Sequence, residues 1–228
     1  MRRFYTSAQA TQNNQGWYVA LDGRSVKTPG KHPLFVPTQA LAHAIAEEWQ
    51  AQGDRIDPDT MPLTQYSCSA LDRVAGARAY LIAQISAYVA TDLLAYPTDQ
   101  PAALRDVQDA HWHPLIDRMA ALGWPLIQTS GLMAVDQDPS LAPRAQAWLD
   151  SKALFPFTAL ANLIETSGSF FLAYLHAEDG LEIERLIQAC TLEEQFNLKK
   201  WGSDEEAEQL LGRRIADLKS AAQMLALL

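Results

Sequence analysis

The chain has 228 residues, 48% of them hydrophobic and 20% charged, with a net charge of −9 and a pI of about 5.0. That balance describes a globular protein able to bury a real core, in one large domain or two small ones. Its acidity repels phosphate backbones and anionic lipid, which sets aside nucleic acid and membrane surfaces as partners, and its longest apolar runs (residues 155–163 and 170–175) are too short to span a bilayer.

Met1-Arg2-Arg3 leads into mixed polar sequence and not into an apolar leader. Cys68 and Cys190 stand far apart, which fits two lone thiols in a reducing compartment better than a disulfide. A soluble cytoplasmic protein is the expectation, monomeric because no heptad seam is present.

In chain order, Phe4 and Tyr5 and then Trp17, Tyr18 and Val19 read as two strands around a polar loop over residues 9–16. Asp22-Gly23 is a hairpin turn, after which Val26 and Thr28 alternate with polar neighbours as a half-buried strand does. Residues 33–37 form a short extended segment. Thr38 is a good N-cap, and Leu41, Ala42, Ile45 and Trp49 recur at helical spacing behind it. Residues 53–62 (GDRIDPDTMP) are turn chemistry. A helix is predicted from Thr64 and another over 77–94, with Gly76 as the interruption between them. Residues 102–122 are helical, broken or re-entered at Pro114. Residues 126–135 suggest a return to the sheet as a strand or hairpin. Helices are then predicted after Ser140, over 159–166 and over 170–176, followed by two long amphipathic ones, 183–200 and 204–228, hinged at Trp201-Gly202. Asp204 caps the last, with Glu205, Glu206 and Glu208 favourable to its dipole. The fold class is therefore α+β: a small N-terminal antiparallel β domain with the first helix (residues 1–62), then a larger, mainly α-helical domain (63–228).

Chemistry is sparse. No glycine loop has phosphate-binding spacing, and no nucleophile elbow is present. Thr166-Ser167-Gly168-Ser169 reads as a junction between helices. Asp54, Asp57 and Asp59 lack the glycine and closing Glu of a calcium loop. His111 and His113, with Asp109 and Asp117 near, are the best metal-like group; a small metal-dependent hydrolase built on them is the alternative function, although residues two apart on a helix diverge. The acid-rich stretch Glu193, Glu194, Asp204, Glu205, Glu206 and Glu208 reads either as a solvated face or as a docking surface with Phe196 and Trp201 as apolar anchors.

Several segments taken together resemble a known family. They are Arg3-Phe4-Tyr5, Leu21-Asp22-Gly23-Arg24, Val26-Lys27-Thr28-Pro29, Pro33-Leu34, Pro37-Thr38, Leu41-Ala42, Ala46-Glu47-Glu48-Trp49 and Ile56-Asp57-Pro58. They continue with Met61-Pro62-Leu63-Thr64, Thr91-Asp92-Leu93-Leu94, Trp112-x-Pro114-Leu115, Gly168-Ser169, Trp201-Gly202 and Asp204-x-Glu206-Ala207-Glu208. This ordered set is similar to the ATP-twelve family of assembly chaperones for the F-type ATP synthase. The resemblance implies a β module ahead of a helical body, no enzyme activity and no cofactor. It implies a mitochondrial location for eukaryotic relatives and a cytoplasmic one in bacteria. It also implies one partner, the unassembled alpha subunit of the catalytic head, shielded until beta replaces the chaperone. Family function is tied to an acid in the C-terminal helices, for which Glu193, Glu194, Asp204 and Glu206 are the matching positions. The chain departs from the family pattern at Cys68 and at Phe196-Asn197.

Overall fold

A computed structural model describes residues 1–130, 135–202 and 204–228 of the chain. They form two compact units: Met1–Leu81 with Lys152–Leu160 and Ser220–Leu228, and Ile82–Ser151 with Ala161–Lys219.

The first unit carries a four-stranded antiparallel sheet: β1 (Ala8–Asn13), β2 (Gly16–Leu21), β3 (Arg24–Ser25) and β4 (Phe35–Val36). β2 is central, with β1 on one side and both β3 and β4 on the other. The expected loop at 9–16 is mostly strand instead. β1 pairs with β2 in register from Ala8↔Leu21 to Asn13↔Gly16, leaving only Asn14 and Gln15 as the turn. The polar sequence of β1 hides this, because the apolar partner strand supplies the pairing. The Asp22-Gly23 turn stands as expected, both residues at positive φ (47° and 79°), as a tight hairpin requires.

Helix α1 (Gln39–Gln50) begins where Thr38 Oγ1 accepts from the Leu41 amide at 3.1 Å. Its buried stripe, Leu41, Ala42, Ile45 and Ala46, packs with Val19, Leu21, Leu34 and Val36 of the sheet region. α2 (Pro62–Ser69) and α3 (Ala75–Ser86) follow. Gly76 does not interrupt them; a π turn at Ala70–Val74 does, and Gly76 lies inside α3. The expected third helix stops at Ser86 and continues only as short 3-10 turns, Ala87–Ala90 and Leu93–Ala95.

The chain's end returns to this unit. Thr38 Oγ1 donates to the Leu227 carbonyl at 2.6 Å, and Met224 is wholly buried in the same core.

Three acids fasten elements across long sequence gaps. Glu48 accepts from the amides of Leu63 (2.7 Å) and Thr64 (2.8 Å) and from the Thr64 hydroxyl (2.6 Å), capping α2 from the side of α1. Asp72 accepts from the Thr28 hydroxyl (2.6 Å) and the Gly30 amide (2.8 Å), and its Oδ1 lies 2.9 Å from His32 Nδ1. The third, Asp92, lies in the second unit.

The second unit is helical in its described residues. It contains α4 (Ala102–Ala121), α5 (Leu141–Asp150), the second half of α6 (Leu154–Ser167), α7 (Phe170–Glu178), α8 (Ile183–Cys190), α9 (Leu192–Trp201) and the greater part of α10 (Glu205–Ala226). α4 runs unbroken through Pro114, since tertiary packing of Trp112, Leu115 and Met119 outweighs the one backbone bond a proline removes. The expected single helix over 183–200 is two, separated at Thr191. Residues 126–130 and 135 are not strand; the centre of that expected hairpin, 131–134, lies outside the described residues. An aromatic cluster of Trp124, Trp148, Phe170, Phe171 and Tyr174, with centroids 5.0–6.5 Å apart, forms part of this core.

Asp92 is fully enclosed. Its carboxylate accepts from the Ser169 hydroxyl (2.7 Å) and from the amides of Leu94 (3.0 Å) and Phe171 (3.1 Å), while Ser169 Oγ accepts from the Leu172 amide (3.0 Å) as the N-cap of α7. Burial pushes the Asp92 carboxyl up to about 6 against the opposing pull of those donors.

Candidate functional site

The acid-rich and aromatic residues singled out in the sequence fall on α9, on the cap of α10 and in its first turn. α9 begins after Thr191, whose backbone leaves the helical region and whose hydroxyl donates to the Ile187 carbonyl at 2.6 Å. It ends at Gly202, held at φ 91° and ψ 164°, a conformation that only glycine adopts without strain. Asp204 then caps α10, its Oδ1 accepting from the Glu206 amide at 3.2 Å.

Between α9 and α10 runs an open apolar groove of about 440 Å³. Leu198, Trp201, Ala207, Leu210 and Leu211 line it, with Glu194 and Arg214 as its charged wall. Among the described residues only seven large apolar side chains are strongly exposed, and two of them, Trp201 (77%) and Leu210 (59%), stand here. Apolar surface presented in this way marks a contact site more often than an isolated exposed leucine does.

Each sequence candidate has a distinct place. Glu194 is half-buried and forms an ion pair with Arg214. Arg214 also donates from Nε to the Thr166 carbonyl (2.9 Å) and from Nη2 to the Ser167 carbonyl (3.2 Å). One guanidinium thus satisfies the last carbonyls of α6 and joins α6, α9 and α10. Glu193 is exposed and, with Glu194 and Asn197, borders a second hollow of about 340 Å³ on the α4 side of α9, floored by Trp112 and Cys190. Phe196 is half-buried and does not line the groove; Lys200 spans it and Trp201, its Nζ 5.9 Å from the first ring centroid and 4.9 Å from the second. Glu206 is exposed at the start of α10, near the groove-lining Ala207.

The structure therefore brings Glu194 and Trp201 into one groove and leaves Glu193, Phe196, Asp204 and Glu206 around it. Sequence reasoning missed Arg214, Lys200 and Leu210. Lys200 had a signal, four residues after Phe196 and beside Trp201. Arg214 had none, because its acceptors lie 20 and about 48 positions away.

The metal-like histidines are separate from this groove. On α4, His113 Nε2 is 3.3 Å from Asp109 Oδ1, and Asp109 also receives Arg105 Nε at 2.8 Å on both oxygens. Among the described residues, no three His, Cys, Asp or Glu side chains cluster so as to hold a metal ion. Burial pushes both thiols, Cys68 and Cys190, up to about 11, so each stays protonated and weakly nucleophilic near neutrality. Among the described residues no helix is long and apolar enough to cross a membrane.

Comparison with known proteins gives a consistent picture. The family model described as ATP12 chaperone protein matches residues 2–120. Protein atp12, mitochondrial, of Schizosaccharomyces pombe is 26% identical over 222 residues, 92% of this chain and 76% of the relative. The crystal structure of Atp12 from Paracoccus denitrificans superposes with a TM-score of 0.92 at 39% identity, covering 99% of this chain and 97% of that one. Atu1473 of Agrobacterium tumefaciens gives a TM-score of 0.91 at 30% identity, covering 99% and 85%.

Proposed function

The chain belongs to the ATP12 chaperone family, and from that premise we propose that it holds the unassembled alpha subunit of the F-type ATP synthase catalytic head until beta takes its place. A free subunit exposes an apolar surface built for its neighbour, and such a surface aggregates unless covered. Covering it calls for an apolar contact with a polar rim, tight enough to shield and weak enough to release, and affinity of that kind is set by a few anchors more than by area. No bond need be made or broken.

The observation that carries this reading is the α9–α10 groove, with Trp201 and Leu210 exposed above an apolar floor. In this reading Trp201 and Phe196 supply apolar contact, and Glu193, Glu206 and Asp204 meet basic groups of the client and speed its approach. Glu194 has a different part. Its pairing with Arg214 holds the groove wall, so reversing it would disturb the scaffold as well as the surface.

The test uses co-expression of the alpha subunit alone with this chain, scoring the alpha that stays soluble. A variant combining Trp201→Ala and Glu206→Lys changes two exposed side chains and is expected to fold as the parent does. It should lose most of the protection, with about 2 kcal/mol or more of binding lost at the tryptophan. Equal protection by variant and parent would move the client surface away from this groove.

A further inference from the structure

A second surface lies in the first unit, at the outer edge of β1. The Ser7 carbonyl accepts from the Asp22 amide at 2.9 Å, next to the Ala8↔Leu21 pair. In an antiparallel ladder the bonding residues alternate, so Ser7, Gln9, Thr11 and Asn13 face β2, and the backbone groups of Ala8, Ala10 and Gln12 face away. Among the described residues no strand pairs with that side. Edges of this length are usually blunted by lysine, proline or a bulge. β1 reads AQATQN, with no charge and no proline, and its register against β2 is continuous.

The first rung of this edge is already taken, by a side chain. The Gln50 amide accepts from the Ala8 N–H at 2.8 Å and donates to the Thr6 carbonyl at 3.4 Å. It satisfies both kinds of outward group, as the backbone of an adjoining strand would. The rungs at Ala10 and Gln12 continue the line beyond it. Beside them is a hollow of about 380 Å³, lined by Gln9, Ala10, His43, Ala46, Glu47 and Gln50. Glu47 is exposed, and the lining holds no lysine or arginine.

We propose that this edge takes an extended segment of a client polypeptide as an added strand, with basic side chains of that segment lying over Glu47. The added backbone bonds Ala10 and Gln12, and side chains alternate between the α1 shelf and solvent. A second copy of this chain is a poorer occupant: it would set Glu47 against Glu47 and bring together two molecules of net charge −9.

The probes are an octapeptide alternating Val and Lys and its Val and Glu counterpart, at millimolar concentration, with backbone amide exchange read by NMR. The Lys peptide should slow exchange at Ala10 and Gln12 by tenfold or more; the Glu peptide should not. Ala10→Pro removes an outward donor, which an edge strand tolerates, and should weaken the Lys peptide several-fold. Glu47→Lys leaves the ladder untouched and should reverse the preference between the peptides. No slowing at Ala10 and Gln12, or an unchanged preference in Glu47→Lys, overturns the proposal. So does protection that rises with the protein's own concentration, which marks self-pairing. The groove between α9 and α10 is not involved: a silent edge leaves the alpha-subunit reading intact, and a failed alpha-subunit assay leaves the peptide result standing.

Discussion

Asp92 shows what single carboxylates do in this chain. It sits in one of the segments that carry the family resemblance, as do Glu48 and Asp204, and all of them accept backbone amides. Asp92 is the extreme case, because it is fully buried and its carboxyl is pushed up to about 6. Its unfolded value is about 3.9. The folded state therefore holds the proton more tightly, and stability falls as pH rises from about 4 to about 6, after which the cost is fully present. Asp92→Asn cannot titrate and turns an amide NH2 toward donors, losing about 1–3 kcal/mol. Denaturant midpoints of parent and variant at pH 4, 5 and 7 should show the parent's advantage largest at pH 4 and shrinking by pH 7. A difference that stays constant with pH would mean that Asp92 does not titrate in this window.

At the scale of elements, the break between α9 and α10 decides whether there is a groove. Gly202 is in a backbone region closed to other residues, so Gly202→Ala should cost about 1–3 kcal/mol and lower Tm by about 2–4 °C for each kcal/mol in a chain of this size. Gly76 is the internal control. It lies within α3, with nothing within 4 Å of the position a Cβ would take, so Gly76→Ala should raise stability by about 0.5–1 kcal/mol. Calorimetry of the two variants checks both signs. Both glycines looked alike in the sequence, as interruptions of helical pattern, and only the backbone angles separate them. Other elements were legible for local reasons. Thr38 and the Asp22-Gly23 turn act on their nearest neighbours, and spacing alone reveals them. The strand at residues 8–13 is set by its pairing with residues 16–21 and the unbroken helix through Pro114 by packing of its buried face, neither of which periodicity records. The same division holds at the site: Trp201 and the acids were visible as residue types, whereas the clamp of Arg214 on Glu194, Thr166 and Ser167 required the fold.

Over the whole molecule, the chain order and the order of packing differ. The first unit takes its sheet and first helices from Met1–Leu81, but its core also needs Lys152–Leu160 and Ser220–Leu228. Met224 is buried there with Leu225, Leu227 and Leu228 packed against the same core, and the Leu227 carbonyl holds the cap residue of α1. On the ribosome, residues 1–81 must therefore wait for residues 220–228 to emerge. Stalled nascent chains lacking residues 220–228 should be cut by protease within the first eighty or so residues, and chains released at full length should resist, a contrast that limited proteolysis of the two populations would read directly. A protein built this way reaches its working form only once residues 220–228 have left the ribosome, so any hold it has on another subunit through the first unit starts no earlier than that.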